Sequence, residues 1–556
     1  MVSQKSDQRL LTSKLTRREL IERMAALGVA VPALSALGAE ALTTATASAQ
    51  TPTASPGGTL RYGFWQPPTS LDMQVGTLQI EALINQGIQD RLVWKKPGDP
   101  KYYPGLATSW DSTPDFTSYT LKLRNDVKFH DGTPFNAEAV KFTFDRIVDP
   151  ANKSGGALVA LGPYDSSTVV DDYTVTVKFK EANGAFLNMC TTVWLSPQSP
   201  TAIQKWGPDY QDHLAGAGPF MMTEYVHSDH VTLVNNPDYK WGPEIFNHTG
   251  PALLDSIVFR LLPEDATRLA ALKSGDVDLI DRVAPTDLAS LSTDSGYKTF
   301  SGATGGSPWI MQLNTQKAPT NDLAVRQAMM MTFDQAAVVD LLFTGTLAPS
   351  YNFLEPTMVG YSDSTKDLFK VDPEGAKALL EGAGWTGSGT RAKDGQSLTF
   401  DLYIVANFGM DDMSAAFQSQ MQEIGVSVQI KSFEFPAWQA GINKGEHGAN
   451  WTFYWWADPS GPLDTFFSSQ HVGNGNGSMY ANPDFDKLLA EALATGDDTK
   501  RADFYNQAEA LLFKDVAALP AFQKRLVLAS KANVDMANLQ TNAEGYPNFY
   551  DVGILS

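Results

Sequence analysis

Cysteine occurs once in this chain, at Cys190. A single cysteine excludes an internal disulfide framework and any Cys-x-x-Cys metal or redox pair. Histidine is scarce too, seven in 556 residues, and none falls in a His-Glu-x-x-His pattern; a Gly-x-Ser-x-Gly elbow is also missing. Triads assemble in space, so missing motifs do not exclude an enzyme, but they leave no positive reason to propose one. Basic residues are outnumbered, 42 Lys and Arg against 62 Asp and Glu, for a net charge of −20. Such a surface repels phosphate backbones, which argues against nucleic acid as a partner. No stretch beyond the first fifty residues is long and apolar enough to span a bilayer. Cys190 lies among Leu187, Met189 and Val193, the setting of a buried structural thiol rather than a nucleophile.

The first fifty residues read as an export address. Thr16-Arg17-Arg18-Glu19-Leu20 precedes a charge-free apolar run from Met24 to Ala39, and Ala47-Ser48-Ala49 stands before Gln50. That is a basic region, a short apolar region and a small-residue cleavage site, expected to end at residue 49. The apolar run is shorter than the roughly 20 residues a membrane span needs, and Pro32 interrupts it. The paired arginines resemble a twin-arginine signal, with Leu20 in place of the usual Phe and no downstream Lys, so ordinary secretion is the alternative. No cysteine near Ala49 can accept a lipid anchor. The expectation is a free periplasmic protein. Removing residues 1–49 would leave 36 basic and 58 acidic residues, a net charge of −22. About 500 residues then remain, enough for two or three domains at about 150 residues each.

Along the mature chain, strand and helix patterns alternate. Thr59 to Phe64 reads as an opening strand, Val169 to Phe179 as a hairpin, and Phe220 to Val226 with Val231 to Val234 as strands flanking His227-Ser228-Asp229-His230. Pro263 to Ile280 is a helix, a glycine stop and a strand; Trp309 to Asn314 is a strand, Val325 to Leu342 and Pro373 to Gly382 are helices. Phe400 to Val405, Met413 to Ile424 and Val426 to Ile430 then read strand, helix, strand. This order predicts an α/β fold with mixed or parallel sheets. His227, Asp229 and His230 sit at a predicted hairpin tip with no further ligand nearby, so a solvated turn is expected and no metal site. Gly382-Ala383-Gly384-Trp385-Thr386-Gly387 has the spacing of a dinucleotide fingerprint, but it follows a helix instead of a strand, and a helix stop is the better reading. No cofactor is implied.

Two stretches carry more information. Tyr119 to Arg146 (YTLKLRNDVKFHDGTPFNAEAVKFTFDR) reads as a strand, an Asp131-Gly132-Thr133-Pro134 turn and a helix capped by Asn136, with Val140 and Phe144 on one face. Phe453-Tyr454-Trp455-Trp456-Ala457-Asp458-Pro459 places four aromatics in a row. In a strand alternate side chains point to opposite faces, so at least two of them look away from a single core, toward a second core or a cleft.

The first stretch resembles, nearly residue for residue, the signature of the family 5 extracellular solute-binding proteins, the peptide, nickel and opine receptors of ATP-driven (ABC) importers. The similarity runs from about Gly57 to the C-terminus, with Ala215 to Phe220 matching a Gly-rich crossover. It implies a two-lobed α/β periplasmic binding protein, type II-like, with mixed sheets and an extra subdomain. Lobe I would combine 57–95, 220–308 and 525–556, the extra subdomain 96–219, and lobe II 309–524. The resemblance implies a monomeric receptor, not an enzyme, that captures a peptide-like or amine-bearing solute and hands it to an inner-membrane permease. A periplasmic hydrolase of small peptides or amides and a chemosensory receptor are the competing readings. It also implies a site: Asp458 holding a ligand amine, with Tyr454, Trp455, Trp456 and Ala457 around it and strand backbone pairing with a peptide. Gln66, in the loop after the opening strand, and Asn407 and Asp411, after the strand Phe400 to Val405, complete it. The dipeptide branch carries an arginine in that latter loop, whereas Ala406 to Asp412 has none and two acids. A free carboxylate would meet repulsion there, so the sequence favours cationic or carboxylate-masked ligands.

Overall fold

The computed structural model describes residues 56–555 except 344, 345, 407 and 543; the expected export signal and its cleavage point lie outside the described residues. Three sheets organise the chain. The first has seven strands, in the spatial order Tyr297–Ala303, Arg525–Lys531, Leu279–Asp281, Thr59–Phe64, Ser256–Leu261, His230–Asn235, Phe220–Val226. The second has six, in the order Ala348–Pro349, Ala518–Gln523, Ser307–Leu313, Ala449–Tyr454, Thr399–Val405, Ser427–Phe433. The third is an antiparallel sheet of Ala107–Ser112, Ser118–Leu123, Thr174–Phe179 and Tyr164–Asp171. Both large sheets mix parallel and antiparallel pairs.

Each large sheet has its own apolar core. Tyr62, Phe64, Ile257 and Phe259 are buried in one, and Leu402, Ile404, Phe417 and Trp451 in the other. The chain crosses between the two sheets between Ala303 and Ser307 and again at Lys524, and these crossings lie side by side. Gly306 shows why a glycine is needed there. Its φ is +92°, and a Cβ would collide with the carbonyl oxygen of Tyr454, so any side chain would push this crossing off the end of the strand Ala449–Tyr454.

The signature stretch folds as its pattern demands. Ser118–Leu123 is a strand, and Asn136 caps the helix Ala137–Val148 by accepting the Ala139 N–H at 3.0 Å. Val140 and Phe144 face the core. Asp131 Oδ1 accepts from the Thr133 N–H and hydroxyl across the turn, where Gly132 has φ +83°. His130 packs inside, its Nε2 2.9 Å from Gly218 O, and burial pulls its pKa down to about 4. The motif thus joins the third sheet to the Gly-rich crossover, a structural task.

One helix differs from expectation. Val325 to Leu342 is two helices, Leu323–Thr332 and Gln335–Leu342, because Asp334 caps the second by accepting the Ala337 N–H at 2.9 Å. An apolar periodicity continued through the break and hid it. Gly384, with φ +89°, follows the helix Pro373–Gly382 as a stop.

Candidate functional site

In the seven-stranded sheet Thr59–Phe64 runs parallel to Leu279–Asp281, and in the six-stranded sheet Thr399–Val405 runs parallel to Ala449–Tyr454. The residues just beyond the carboxyl ends of these four strands are Trp65, Arg282, the loop holding Phe408, and Trp455. Carboxyl ends of parallel strands are where open α/β sheets expose loops to a ligand. Here the two sets of ends meet. Trp65 and Phe408, one from each sheet, lie 6.5 Å apart edge to face. Trp309 stands 6.3 Å from Phe408 and 4.3 Å from Phe453, and Phe408 stacks on Phe453 at 6.0 Å. Trp455 stacks on Tyr546 at 5.8 Å, the two rings nearly parallel. A run of rings therefore crosses from one sheet to the other, and Trp65, Trp309, Phe408, Phe453 and Trp455 are all left half-buried.

Charge enters this run from two sides. Arg282 holds its guanidinium 4.3 Å over the Trp65 ring. Lys524, at the second crossing, lies 4.4 Å from the Trp455 ring and 5.4 Å from Phe453, and donates to Tyr454 O at 2.7 Å and Gly305 O at 3.1 Å. It is 4 % exposed, and burial pulls its pKa down to about 7, against the opposing pull of Glu355. Glu355 Oε1 accepts the Lys524 backbone N–H at 2.7 Å, and its own backbone N–H donates to Gly306 O. One buried acid and one buried base thus bind both crossings together. Trp455 Nε1 is buried and has no hydrogen-bond partner.

Asp458 differs from its expected role. It is wholly buried, and Arg501 Nη2 donates to both of its carboxylate oxygens at 2.7 Å. Ser460 gives Oδ1 its N–H at 3.0 Å and its hydroxyl at 2.7 Å, and Asn188 gives Oδ2 its amide at 3.1 Å. Burial alone would push the carboxyl up; the charge and hydrogen bond of Arg501 and the Ser460 donors outweigh it and hold the pKa below the usual value. The position expected to meet a ligand amine is filled by a guanidinium of the same chain. Asn188 also donates to Ala457 O at 2.6 Å, so this knot ties the short helix Phe186–Met189 to the connection that follows the strand Ala449–Tyr454.

The other expected residues divide. Trp455 belongs to the ring run, whereas the Tyr454 side chain points the other way and packs on Trp456 and Phe466. Trp456 and Ala457 are buried, with Trp456 stacked on Tyr454 at 5.3 Å, and serve the core. Gln66 is half-buried beside Trp65 in sequence; Asn407 lies outside the described residues. Asp411 is exposed in the first turn of the helix Asp411–Glu423, and is not among the groups that set the Asp458 carboxylate. His227 pairs with Asp212 and His230 with Asp229 and Glu224 at the surface, and no cluster able to hold a metal occurs among the described residues.

Comparison with known proteins decides the family. Residues 101–477, more than half of the chain, match the model of the bacterial extracellular solute-binding proteins, family 5 Middle. The chain belongs to this family. Relatives include heme-binding protein A of Haemophilus influenzae, 28% identical over 490 residues, 83% of this chain and 84% of that one. The dipeptide-binding protein of Escherichia coli is 29% identical over 463 residues, 78% and 83% of the two chains. Among solved structures, the periplasmic binding protein DppA of Helicobacter pylori, in complex with the peptide STSA, superposes with a TM-score of 0.74 at 25% identity, covering 90% of this chain and 99% of that one.

This family 5 solute-binding protein is therefore a two-lobed periplasmic receptor, not an enzyme, that delivers a small solute to an ABC permease. Several of its site residues escaped sequence reasoning. Trp65 and Arg282 each follow an apolar strand directly, and that position, an aromatic or a cation one step beyond a parallel strand, was the available signal. Lys524 stands in the polar step Gln523-Lys524-Arg525 between two apolar strands, where nothing distinguished it from its exposed neighbour Arg525. Arg501 had no signal, because its pairing with Asp458 spans 43 residues.

Proposed function

We propose that the solute is held between the carboxyl ends of the strands of the two large sheets, stacked among Trp65, Trp309, Phe408, Phe453 and Trp455, with Gln66 at its edge. Aromatic faces offer large contact area at little cost in side-chain entropy, and binding sites combine such walls with a few directed polar groups. The observation that carries the reading is Trp455 Nε1, a buried donor without a partner in the middle of the rings. The names of the relatives include heme, dipeptide, di/tripeptide and glutathione receptors, so ligand chemistry varies within the family. Asp458, committed to Arg501, favours a solute recognised by something other than an α-ammonium group. The protein acts as a monomer, free in the periplasm after cleavage behind Ala49, with lobe I, the extra subdomain and lobe II divided at 95/96, 219/220, 308/309 and 524/525.

Capture is a closure that is favourable only when contacts from both lobes reach the solute together. Small-angle scattering with and without solute tests this: the radius of gyration falls on binding, and the solute is recovered chemically unchanged. Turnover of the solute, or binding without compaction, contradicts it.

A further inference from the structure

We propose that the cleft selects a planar solute bearing a negative charge, read by Lys524 and Arg282 as cations and by Trp455 Nε1 as a hydrogen-bond donor. This rests on the cleft assignment above and adds the sign of the ligand's charge. The argument is one of unmatched groups. Buried charges in proteins are paired, yet the Lys524 ammonium meets only two backbone carbonyls and two aromatic rings, and Glu355 spends its bonded oxygen on the backbone N–H of Lys524. It forms no ion pair with a carboxylate among the described residues. The ring stacked beneath it, Trp455, carries the orphaned donor. One acceptor-rich, anionic group placed against that ring would satisfy both.

Arg282 supplies the second cation. Its φ is +50°, a left-handed backbone that a long side chain adopts at a cost, and such strain persists where the surroundings require a particular side-chain direction. Here that direction places the guanidinium over Trp65. The neighbouring Asp281 turns to Arg268, Nε to Oδ1 3.4 Å, and leaves Arg282 without a partner carboxylate among the described residues. The acids near the rings are already engaged: Asp458 with Arg501, Glu544 with Trp194 at 2.9 Å and Asn542 at 3.1 Å, and Glu355 at the crossing. Asp411 and Asp412, which follow Phe408 in sequence, are exposed, where water and salt screen them. Lys524, neutralised in part by burial, takes up a proton when an anion arrives, so binding and proton uptake are linked.

Three probes of one skeleton test this: indole-3-acetate, indole-3-acetamide and tryptamine, titrated calorimetrically into the full mature protein. The expected result is that the acid binds about tenfold or more tighter than the amide, that tryptamine is weakest, and that the acid alone is accompanied by proton uptake when the buffer is varied. Lys524→Met should abolish the acid-over-amide preference. Because that lysine also ties the crossings, Arg282→Gln, at an exposed position, is the second variant and should narrow the preference with an unchanged melting temperature. Equal affinities for acid and amide, tighter tryptamine, or no binding of any of the three overturns the proposal. The receptor reading fails separately, through turnover or absent compaction with whichever solute the protein carries.

Discussion

Trp455 and Asp458 stand three residues apart on one connection, and their surroundings are opposite. Asp458 is sealed, with both oxygens bonded to Arg501, Ser460 and Asn188. Trp455 is half-open, its ring faces in contact with Lys524 and Tyr546 and its N–H unmatched. The Asp458 carboxylate is taken up by the fold, whereas the Trp455 N–H is left unmatched beside the rings.

Substitutions at the two positions should therefore fail in different assays. Asp458→Ala leaves the buried Arg501 guanidinium with only the longer contact to Asp498, 3.4 Å from Nη1, and should cost about 3 kcal/mol of stability, read as a large fall in the melting temperature. Replacing the pair together, Asp458→Leu with Arg501→Met, should cost less than either single change. A normal melt in Asp458→Ala would return that residue to the ligand. Trp455→Ala should leave the melting transition nearly in place and weaken solute binding by about 2 kcal/mol or more, as for a central aromatic anchor. The reverse outcome, a lost fold with retained affinity, would erase the distinction between the two positions.

Glu509 extends the comparison to pH. It is buried, accepts the Phe353 N–H at 3.0 Å through Oε1, and leaves Oε2 unmatched; burial pushes its pKa up to about 8. A carboxyl raised in the folded state contributes stability that is full below about pH 4.5 and is lost as pH rises through about 8. Glu509→Gln should therefore gain on the wild type as pH rises from 5 to 9, by at least about 1 kcal/mol, in paired thermal melts. A gap independent of pH would show that Glu509 is ionised throughout. The smallest effect belongs to Asn188→Ala, which removes one amide from Ala457 O and Asp458 and should cost about 1 kcal/mol.

Local pattern carried much of this molecule in the sequence. The strand of Ser118–Leu123, the Asn136 cap and the strand–helix alternation of the second lobe follow from periodicity and turn chemistry, which are properties of neighbouring residues. The row Phe453 to Trp456 was legible as more aromatic surface than one core face can take, and Phe453 and Trp455 do face the rings between the sheets while Trp456 turns to a core. What the sequence concealed was pairing at a distance. Arg501 reaches Asp458 from the helix Asp498–Asp515, and Lys524 meets Trp455 because its chain crossing lies against the end of the strand Ala449–Tyr454. The two acids after Phe408 were visible in sequence, while the cations that face the rings, Arg282 and Lys524, lie on two segments far apart in the chain.

Native mass spectrometry of the protein purified from its own periplasm, wild type beside Trp455→Ala, tests the central claim most directly. The account predicts a small-molecule adduct on the wild type that dissociates intact and is anionic, and its loss from a folded Trp455→Ala protein. An adduct that persists without Trp455, or one released as cleaved fragments, would contradict it.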